Sequence, residues 1–512
     1  MNPEEASTSQ EQGVAIGLEH QTDYDMAING EKEALSPAAR LFHAPNFNCY
    51  IIAIIGCKTH IDPAVIKAGL RQTLMKHPRF SSKVVVDDQG KRKRIYWKRT
   101  IVNLDDHVIV PNLDPNMDSP DQFVEDYNAH LTTMSMDISK PLWEIHILNV
   151  KTVDAEAVGV FKIHHSMGDG VSLMSLLLAC TRKTNNPSTL PSVPVQKRVG
   201  SRTSGSNGFW WIFKVIWTAT IIIFNTLIDM IMFIATMLFL KDIKNPIKGA
   251  SGVEQKPKRF VHRMISMDDI KLLKNAMNTT VNDVILGVTQ AGLSRYLHRK
   301  YGENGNGDDL THGKSSLPKN VRLRAAILVN IRPTAGIQEL AELMGEANDK
   351  KAKWGWGNWI GYILLPFNVS LQDDPLDYIR TAKANIDRKK LSFEAILTNI
   401  CGRFILYLLG IKTTAYLVHR VLSNTSLAFS NVVGPLEEIS FYGHPIEYLA
   451  PSVYGHPQAL TIHFQSYCEK MIIVLAVDPE VIPDAHILLD DLQDSLGIIR
   501  NAIVHSKLDT MA

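Results

Sequence analysis

One apolar run in the middle of the chain constrains the fold more than any other stretch. Residues 209–240 read FWWIFKVIWTATIIIFNTLIDMIMFIATMLFL. The run is longer than the ~20 apolar residues that cross a bilayer. Tryptophans cluster at its start and lysines follow its end, as side chains at a membrane interface do. The sequence therefore predicts a membrane-associated segment at 209–240, with globular sequence on both sides of it.

The whole chain has 512 residues, which is more than one hydrophobic core usually serves, so two domains are expected. The 54 basic and 52 acidic residues give a net charge of +2, which argues against a nucleic-acid-binding protein. The five cysteines are scattered and form no CxxC pair. A disulfide framework or a zinc site is therefore not expected, and reducing surroundings are the simpler interpretation.

Composition and periodicity divide the chain further. Residues 1–34 are polar and acidic and are expected to be a disordered tail. Residues 35–181 and 251–505 mix strand-like and helix-like patterns, which predicts two α/β domains. Residues 182–208 are rich in Ser, Thr, Pro and Gly and are expected to be a flexible linker that leads into the apolar run.

The stretch FKIHHSMGDG, residues 161–170, carries the strongest chemical signal. An apolar strand pattern precedes the two histidines and a helical pattern follows Gly170. A histidine with a pKa near ~6.5 can take and return a proton at neutral pH. Transfer of an acyl group from a thioester to an alcohol needs a group that takes a proton and later returns it. The base removes the hydroxyl proton, and the imidazolium then protonates the leaving thiolate. Gly168 and Gly170 are expected to permit a tight backbone there.

Two other interpretations compete with this one. Adjacent residues on a strand point to opposite faces, so His164 and His165 are poorly placed to share a metal ion, and no third ligand follows at a suitable spacing. No metal site is expected. A purely structural histidine pair is the alternative that the residues alone leave open.

A family resemblance narrows the choice. HHSMGDG resembles the HHxxxDG signature of the CoA-dependent acyltransferase superfamily. The surrounding pattern resembles the plant branch of the bifunctional wax ester synthase/diacylglycerol acyltransferases. Further matching segments follow in order: LSPAARLF (35–42), PLWEIHIL (141–148), TVNDVILG (280–287), VNIRP (329–333), GNWIGYILLP (357–366), SNVVGP (430–435) and YGHPQALTIHFQSY (454–467). The resemblance covers residues from about 35 to 505.

The resemblance implies a fold and an activity. The fold would be two chloramphenicol-acetyltransferase-like α/β domains with an active-site tunnel between them. The activity would join the acyl group of acyl-CoA to a long-chain fatty alcohol, forming wax esters, and to diacylglycerol, forming triacylglycerol. Acyl-CoA is a co-substrate, and no metal or bound cofactor is implied. The expected location is the endoplasmic reticulum membrane, with the plasma membrane as a second possibility.

The resemblance also implies roles for individual residues. His165 would be the general base, and His164 would orient the site. Asp169 would support the loop, with Arg332 as its ion-pair partner. Asn282, Ser430 and Gly170 are candidates for contacts with substrate or with the oxyanion.

Alternatives within and beyond the superfamily remain. Phenolic and alkaloid acyltransferases also carry HxxxD but have a DFGWG element near the C-terminus, which this chain lacks. Peptide-forming condensation domains share HHxxxDG but lack a membrane segment. A non-catalytic, lipid-binding membrane scaffold is the alternative from a different class.

A shared active site limits the membrane topology of 209–240. A single crossing would place His165 and Ser430 on opposite sides of the membrane. We therefore expect a hairpin or an in-plane anchor, with Asn225 and Asp229 near the bend or facing protein, although hydropathy alone would favour one transmembrane helix. The run 403–422 is also amphipathic, and either an interfacial helix or an ordinary core helix would explain it.

Overall fold

The computed structural model describes residues 32–87, 94–114, 116–194, 209–304, 322–332, 337–345 and 356–509. Most of the expected tail and more than half of the expected linker lie outside the described residues. The described ends of both segments are ordered into strands. Glu33 and Ala34 pair with Trp97 and Tyr96, and residues 181–183 pair with 439–441. The globular part therefore begins before residue 35 and extends beyond residue 181.

The first half of the chain alternates strands and helices. They are β1 (Glu33–Ala34), α1 (Pro37–Leu41), β2 (Tyr50–Cys57), α2 (Pro63–Gln72), β3 (Ser82–Asp87), β4 (Arg94–Arg99), β5 (Val108–Ile109), α3 (Pro120–Thr133), β6 (Trp143–Leu148), β7 (Ala157–His164), α4 (Gly170–Cys180) and β8 (Thr181–Lys183). The start of α2 shows the local cause. Asp62 accepts a hydrogen bond from the Ala64 amide at 2.8 Å, and Pro63 occupies the first helical position.

The second half begins with the apolar run. Its elements are α5 (Phe209–Leu238), β9 (Arg259–Ser266), α6 (Met267–Ala276), α7 (Val281–Asn304), β10 (Leu323–Asn330), α8 (Ile337–Gly345), β11 (Ile360–Phe367), α9 (Asp377–Lys390), α10 (Glu394–Ser423), β12 (Leu427–Val432), β13 (Ile439–Phe441), β14 (His444–Tyr454), β15 (Leu460–Tyr467), β16 (Lys470–Val477) and α11 (Ala485–Asp509). A capping box starts α7: the Thr280 amide donates to Asp283 at 2.8 Å, and the Asp283 amide donates to Thr280 at 3.3 Å.

The first-half sheet has the strand order β5-β6-β7-β2-β14-β13-β8. β2 lies at its centre, antiparallel to β7 and to β14. Because side chains alternate along a strand, Ile51, Ala53 and Ile55 share one face of β2. Helices α2 and α4 cover that face, and their apolar side chains meet it around a cavity that is described below.

The second-half sheet has the order β11-β10-β12-β15-β16-β9. One face, which includes Phe429 and Ile462, packs against α6, α7 and α11 in a single core. The opposite face is directed towards the first half, since Ile472 and Val474 of β16 belong to the first-half core. Two α/β layers therefore meet along this face of the second sheet.

The two halves exchange strands, which corrects the expected domain boundaries. β13 and β14 come from the second half of the chain, but they extend the first-half sheet: Tyr454 pairs with Tyr50, and Phe441 pairs with Thr181. Residues 439–454 thus belong with 35–181 in space. The alternation of side chains along a strand carries no information about which sheet that strand joins.

Helix α5 is one continuous helix of 30 residues, about 45 Å long. The expectation of a hairpin with a bend near Asn225 and Asp229 is wrong. Both residues face protein instead. Asn225 donates to the Leu391 carbonyl at 3.2 Å, and Asp229, 1% exposed, forms an ion pair with Lys389 at 2.9 Å. The two polar residues, one helical turn apart, dock the helix against the α9–α10 connection.

The end of α5 is held to the second sheet. Arg324 of β10 donates from Nε to Asp242 at 2.6 Å, and its backbone amide donates to the same carboxylate at 2.8 Å. The side chains of this pair are 5% and 0% exposed. The chain that leaves α5 is therefore fixed to the body of the protein.

Helices α5 and α10 carry a large exposed apolar surface. They are the two described helices that are long and apolar enough to cross a membrane, and only 17% of either apolar window is buried. Trp210 of α5 is 77% exposed and Tyr407 of α10 is 74% exposed. Helix α10 bends at Gly410, whose φ of 77° favours glycine. The run 403–422 is thus the exposed helix of the two alternatives, rather than an ordinary core helix.

Candidate active site

The HHSMGDG motif lies where β7 ends at the centre of the first-half sheet. His164 is the last residue of β7 and is paired with Tyr50 of β2. Residues 165–167 form a short 3₁₀ turn, and Asp169 caps α4 by accepting from the Ser172 amide at 3.0 Å. A buried strand, a short turn and a capped helix thus hold the motif in place.

His165 is buried beside an apolar wall. It is 8% exposed, and its ring stacks on Phe42 with the ring centroids 4.3 Å apart. Its backbone is held at both ends: the amide donates to the Cys49 carbonyl at 2.9 Å, and the carbonyl accepts from Asn358 at 3.0 Å. Asn358 belongs to the second half of the chain, so both halves position this histidine.

Burial lowers the pKa of His165 below its ordinary value, because it disfavours the charged imidazolium. The carbonyl oxygen of His165 itself, the charge of Asp169 and Asn358 act in the opposite direction. The side-chain Nδ1 is buried and has no hydrogen-bond partner among the described residues.

His164 has both ring nitrogens engaged. Nδ1 accepts from the Ser166 amide at 3.2 Å, so Nε2 carries the hydrogen that is shared with Asn48 Oδ1 at 2.9 Å. The ring also stacks on His43. Burial holds the pKa of His164 well below its ordinary value. The ring is therefore a fixed neutral group under the motif, which fits the orienting role expected of it.

Asp169 and Arg332 form a bidentate ion pair between the two halves of the chain. Arg332 donates from Nη1 to Oδ2 at 2.8 Å and from Nη2 to Oδ1 at 2.9 Å. The side chains are 2% and 5% exposed for Arg332 and Asp169. The Trp359 amide also donates to Asp169 at 3.0 Å, and Arg332 donates to the Gly357 carbonyl at 2.6 Å. The carboxylate is held by four donors and supports the loop; the geometry gives it no role in proton relay.

The two glycines of the motif, Gly168 and Gly170, allow neighbouring residues to pack closely against the backbone. The φ of Gly168 is 172°, an extended value that any residue adopts, and Gly170 has no positive φ. A Cβ on Gly168 would lie 3.1 Å from Ser172, and one on Gly170 would lie 3.2 Å from Val432. The two glycines are therefore needed for the close approach of neighbouring residues and not for a positive φ.

A cavity of about 270 Å³ connects His165 with both halves. On the first-half side, its walls are aliphatic and come from β2, β7, α2 and α4. On the second-half side, its walls come from β10, β12 and β15. The residues lining it include His165, Gly170, Ser430, His463 and Gln465. Among the described residues, no group of three or more His, Cys, Asp or Glu side chains has the arrangement of a metal site.

The structure separates the two candidates of the second half. Ser430 lines the cavity on the face of β12 directed towards His165. Asn282 is exposed at the start of α7 and is outside the cavity lining; its Oδ1 accepts from Asn431 at 2.5 Å. Asn431 is itself among the residues that line the cavity. Asn282 thus joins α7 to β12 through a cavity-lining residue, and its contact with substrate stays a prediction.

Sequence reasoning missed several residues of this site. Asn358 and Trp356, whose indole donates to the Met167 carbonyl at 2.8 Å, fix the motif loop from the second half. His463 and Gln465 line the same cavity as His165, and His463 Nε2 and Gln465 Oε1 have no hydrogen-bond partner among the described residues. Their alternation with apolar residues in LTIHFQSY was the available signal, since polar side chains on one face of a buried strand need a partner.

Comparison with known proteins gives a consistent result. Two family models match the chain: the wax ester synthase/diacylglycerol acyltransferase catalytic domain over residues 59–285, and the WS/DGAT C-terminal domain over residues 356–500. Wax ester synthase/diacylglycerol acyltransferase 5 of Arabidopsis thaliana is 52% identical, covering 96% of this chain and 97% of that protein. Wax ester synthase/diacylglycerol acyltransferase 6 of the same plant is 54% identical, covering 92% and 94%.

Solved structures show the same fold. The wax ester synthase/diacylglycerol acyltransferase of Marinobacter aquaeolei VT8 superimposes with a TM-score of 0.55 at 16% identity, covering 92% of this chain and 99% of that one. The first condensation domain of the calcium-dependent antibiotic synthetase gives a TM-score of 0.55 at 12% identity, covering 93% and 96%. At these identities the likeness concerns the fold alone, which is the two-domain CoA-dependent acyltransferase fold.

The ion pair between Asp169 and Arg332 yields a stability prediction. Arg332→Gln leaves a buried carboxylate without its counter-charge, which costs about 3–5 kcal/mol of unfolding free energy. Arg380→Gln is the matched control, because Arg380 pairs with Asp374 and Asp377 at the surface and should cost less than about 1 kcal/mol. Thermal unfolding of both variants measures the difference. Equal melting temperatures for the two variants would contradict the inter-domain role of Arg332.

Proposed function

The chain belongs to the wax ester synthase/diacylglycerol acyltransferase family of O-acyltransferases, and from this membership we propose that it transfers a fatty acyl group from acyl-CoA to the hydroxyl of a long-chain alcohol, forming a wax ester. Diacylglycerol is the proposed second acceptor, with triacylglycerol as the product. The observation that carries the proposal is the position of His165, a buried neutral imidazole at a cavity whose walls are largely aliphatic. Such walls suit alkyl chains better than phenolic acceptors.

His165 is the proposed general base. Its neutral ring removes the proton of the acceptor hydroxyl as the oxygen attacks the thioester carbonyl carbon. A tetrahedral intermediate forms, the C–S bond breaks, and the imidazolium returns the proton to the leaving thiolate of CoA. The acyl group passes directly to the acceptor, so no covalent enzyme intermediate is needed. Asp169 takes no part in proton transfer, because Arg332 and the Trp359 amide already occupy both of its oxygens.

We further propose that α5 and α10 attach the enzyme to a membrane surface without crossing it. Both chain segments that flank α5 return to one body, since Lys183 lies in the first-half sheet and Asp242 binds Arg324. A crossing by α5 would need a second crossing within 184–208, and that stretch has no apolar run. A helix that lies in the plane of the membrane surface keeps both flanking segments on one side and needs no second crossing. The endoplasmic reticulum is the proposed membrane, on the basis of the family resemblance and this apolar surface.

The central reaction can be tested with microsomes that contain the wild type or His165→Ala. The wild type should convert palmitoyl-CoA and hexadecanol into wax ester, and the variant should be slower by at least ~100-fold, as expected for loss of a general base. Parallel assays with diacylglycerol rank the two acceptors. A fully active variant would contradict the role of His165, and a wild type that forms neither neutral lipid would contradict the proposed activity.

The lowered pKa of His165 predicts the pH dependence of acyl transfer. The base must be neutral, and a lowered pKa keeps it neutral to a lower pH than an ordinary histidine. We expect kcat/KM to level off at or below pH 8 and to fall on acidification with a midpoint below 6.5. Thermal unfolding over the same range shows whether the enzyme stays folded. An acid limb with a midpoint above 6.5 would contradict a buried base.

Membrane attachment predicts the outcome of liposome flotation. Replacing Trp210, Trp211 and Trp217 with Ser removes exposed aromatic surface from α5. This change should lower the constant for partition into the liposome membrane by at least ~10-fold, because each indole buries about 150–250 Å² in an apolar phase. The matched control replaces three exposed apolar residues elsewhere with Ser: Ile101, Ile138 and Val153. Equal binding by the tryptophan variant and the wild type would contradict the role of α5.

A further inference from the structure

A second histidine lines the cavity of His165 from the other half of the chain. His463 lies on β15, directly beside Ser430 of the parallel strand β12. Residues paired in this way project to the same face of a sheet, and here that face is directed towards the first half. His463, Ser430 and His165 all line the same cavity.

The side chain of His463 is buried and has an unused hydrogen-bonding nitrogen. It is 7% exposed, and Nε2 has no hydrogen-bond partner among the described residues. Leaving such a group unpaired in a buried site costs about 1–3 kcal/mol. His456, another buried histidine near the start of β15, lies outside the cavity lining, and its Nε2 pairs with Thr461 at 2.9 Å. His456 Nδ1 is also unpaired, but of these two histidines His463 is the one that lines the cavity.

The proposed acyl transfer creates a charge that needs a donor at this place. When the acceptor oxygen bonds to the thioester carbonyl carbon, the carbonyl π electrons move onto oxygen and form an oxyanion, while the hydroxyl proton moves to His165. We propose that the neutral ring of His463 donates a hydrogen bond to this oxyanion and keeps its own proton. Collapse of the intermediate then restores the carbonyl, breaks the C–S bond and returns the proton from His165 to the thiolate.

The chemistry of the neighbouring groups agrees with this division of roles. Burial lowers the pKa of His463 to about 4, so its ring is neutral at physiological pH and acts as a donor without competing with His165 as the base. The unpaired atom of Gln465 is a carbonyl oxygen, which accepts hydrogen bonds and would repel an oxyanion. Ser430, beside His463, can supply a second donor. A donor pair from adjacent strands is the arrangement that stabilises an oxyanion.

The inference rests on the proposed function and can be tested separately from it. His463→Gln and His463→Met have side chains of similar length, but only Gln carries an N–H donor. Purified full-length variants are assayed in detergent with palmitoyl-CoA and hexadecanol, beside the wild type and His456→Leu. We expect Met to lower kcat by about 10²- to 10³-fold with KM changed less than about threefold, and Gln to recover most of this loss. His456→Leu should keep kcat within about threefold of the wild type.

Each result decides the matter. A Met variant with wild-type kcat overturns the role of His463, and so does a Gln variant that is as slow as the Met variant while melting at a similar temperature to it. An effect on KM alone also overturns it, because a donor to the intermediate acts on kcat. If the Met variant does not fold, His463→Leu carries the same comparison. A wild type that forms no ester overturns the proposed function itself, and the inference with it.

Discussion

The ion pair between Asp169 and Arg332 is the interaction on which the active site depends. It joins the loop after β7 to the end of β10, and so it fixes the general base of one half against the cavity walls of the other. The pair is buried, and its four donors satisfy the carboxylate, which offsets the cost of taking both charges out of water. The exchange of β13 and β14 into the first-half sheet reinforces the same contact with backbone hydrogen bonds. The two halves are therefore one catalytic body, although a long apolar segment separates them in sequence.

Because the two halves pack into one body, an apolar helix can occupy the middle of the chain without separating the parts of the active site. Helix α5 uses its polar residues to dock on protein: Asp229 binds Lys389, and Thr226 accepts from the Phe393 amide at 2.9 Å. Its apolar residues are left to the outside, next to the exposed side of α10. A polar residue inside an apolar run is costly in lipid but stabilising at a protein contact. We infer that the helix binds at a lipid surface, where both proposed substrates of the enzyme partition.

Local signals in the sequence explain where several elements begin. Asp62 and Pro63 mark the start of α2, Thr280 and Asp283 mark that of α7, and alternation across 460–477 gives the β15–β16 hairpin. The HHSMGDG motif and its expected partner Arg332 also meet in space. Each of these features is decided by residues a few positions apart, or by a motif whose chemistry needs one fixed geometry. Most of the candidate site could be found in this way.

The remaining features depend on contacts between distant residues. Nothing in the pattern of 439–454 indicates that it joins the first-half sheet, and nothing at Asn282 shows that its side chain binds Asn431 of β12. His463 looks like any histidine in a strand until its neighbours show that its Nε2 has no partner. The close approach of Val432 to Gly170 is likewise set by tertiary packing. Long-range packing decided each of these points, and single-sequence patterns do not record it.

The central claim is that both substrates bind in one cavity before His165 acts, and that the acyl group passes directly between them. Initial rates measured over a range of palmitoyl-CoA concentrations, at several fixed concentrations of hexadecanol, test this most directly. The account predicts double-reciprocal lines that intersect, because a complex of enzyme with both substrates must form. Parallel lines would contradict it, since they would show that the acyl group is first transferred to the enzyme and CoA leaves before the alcohol reacts.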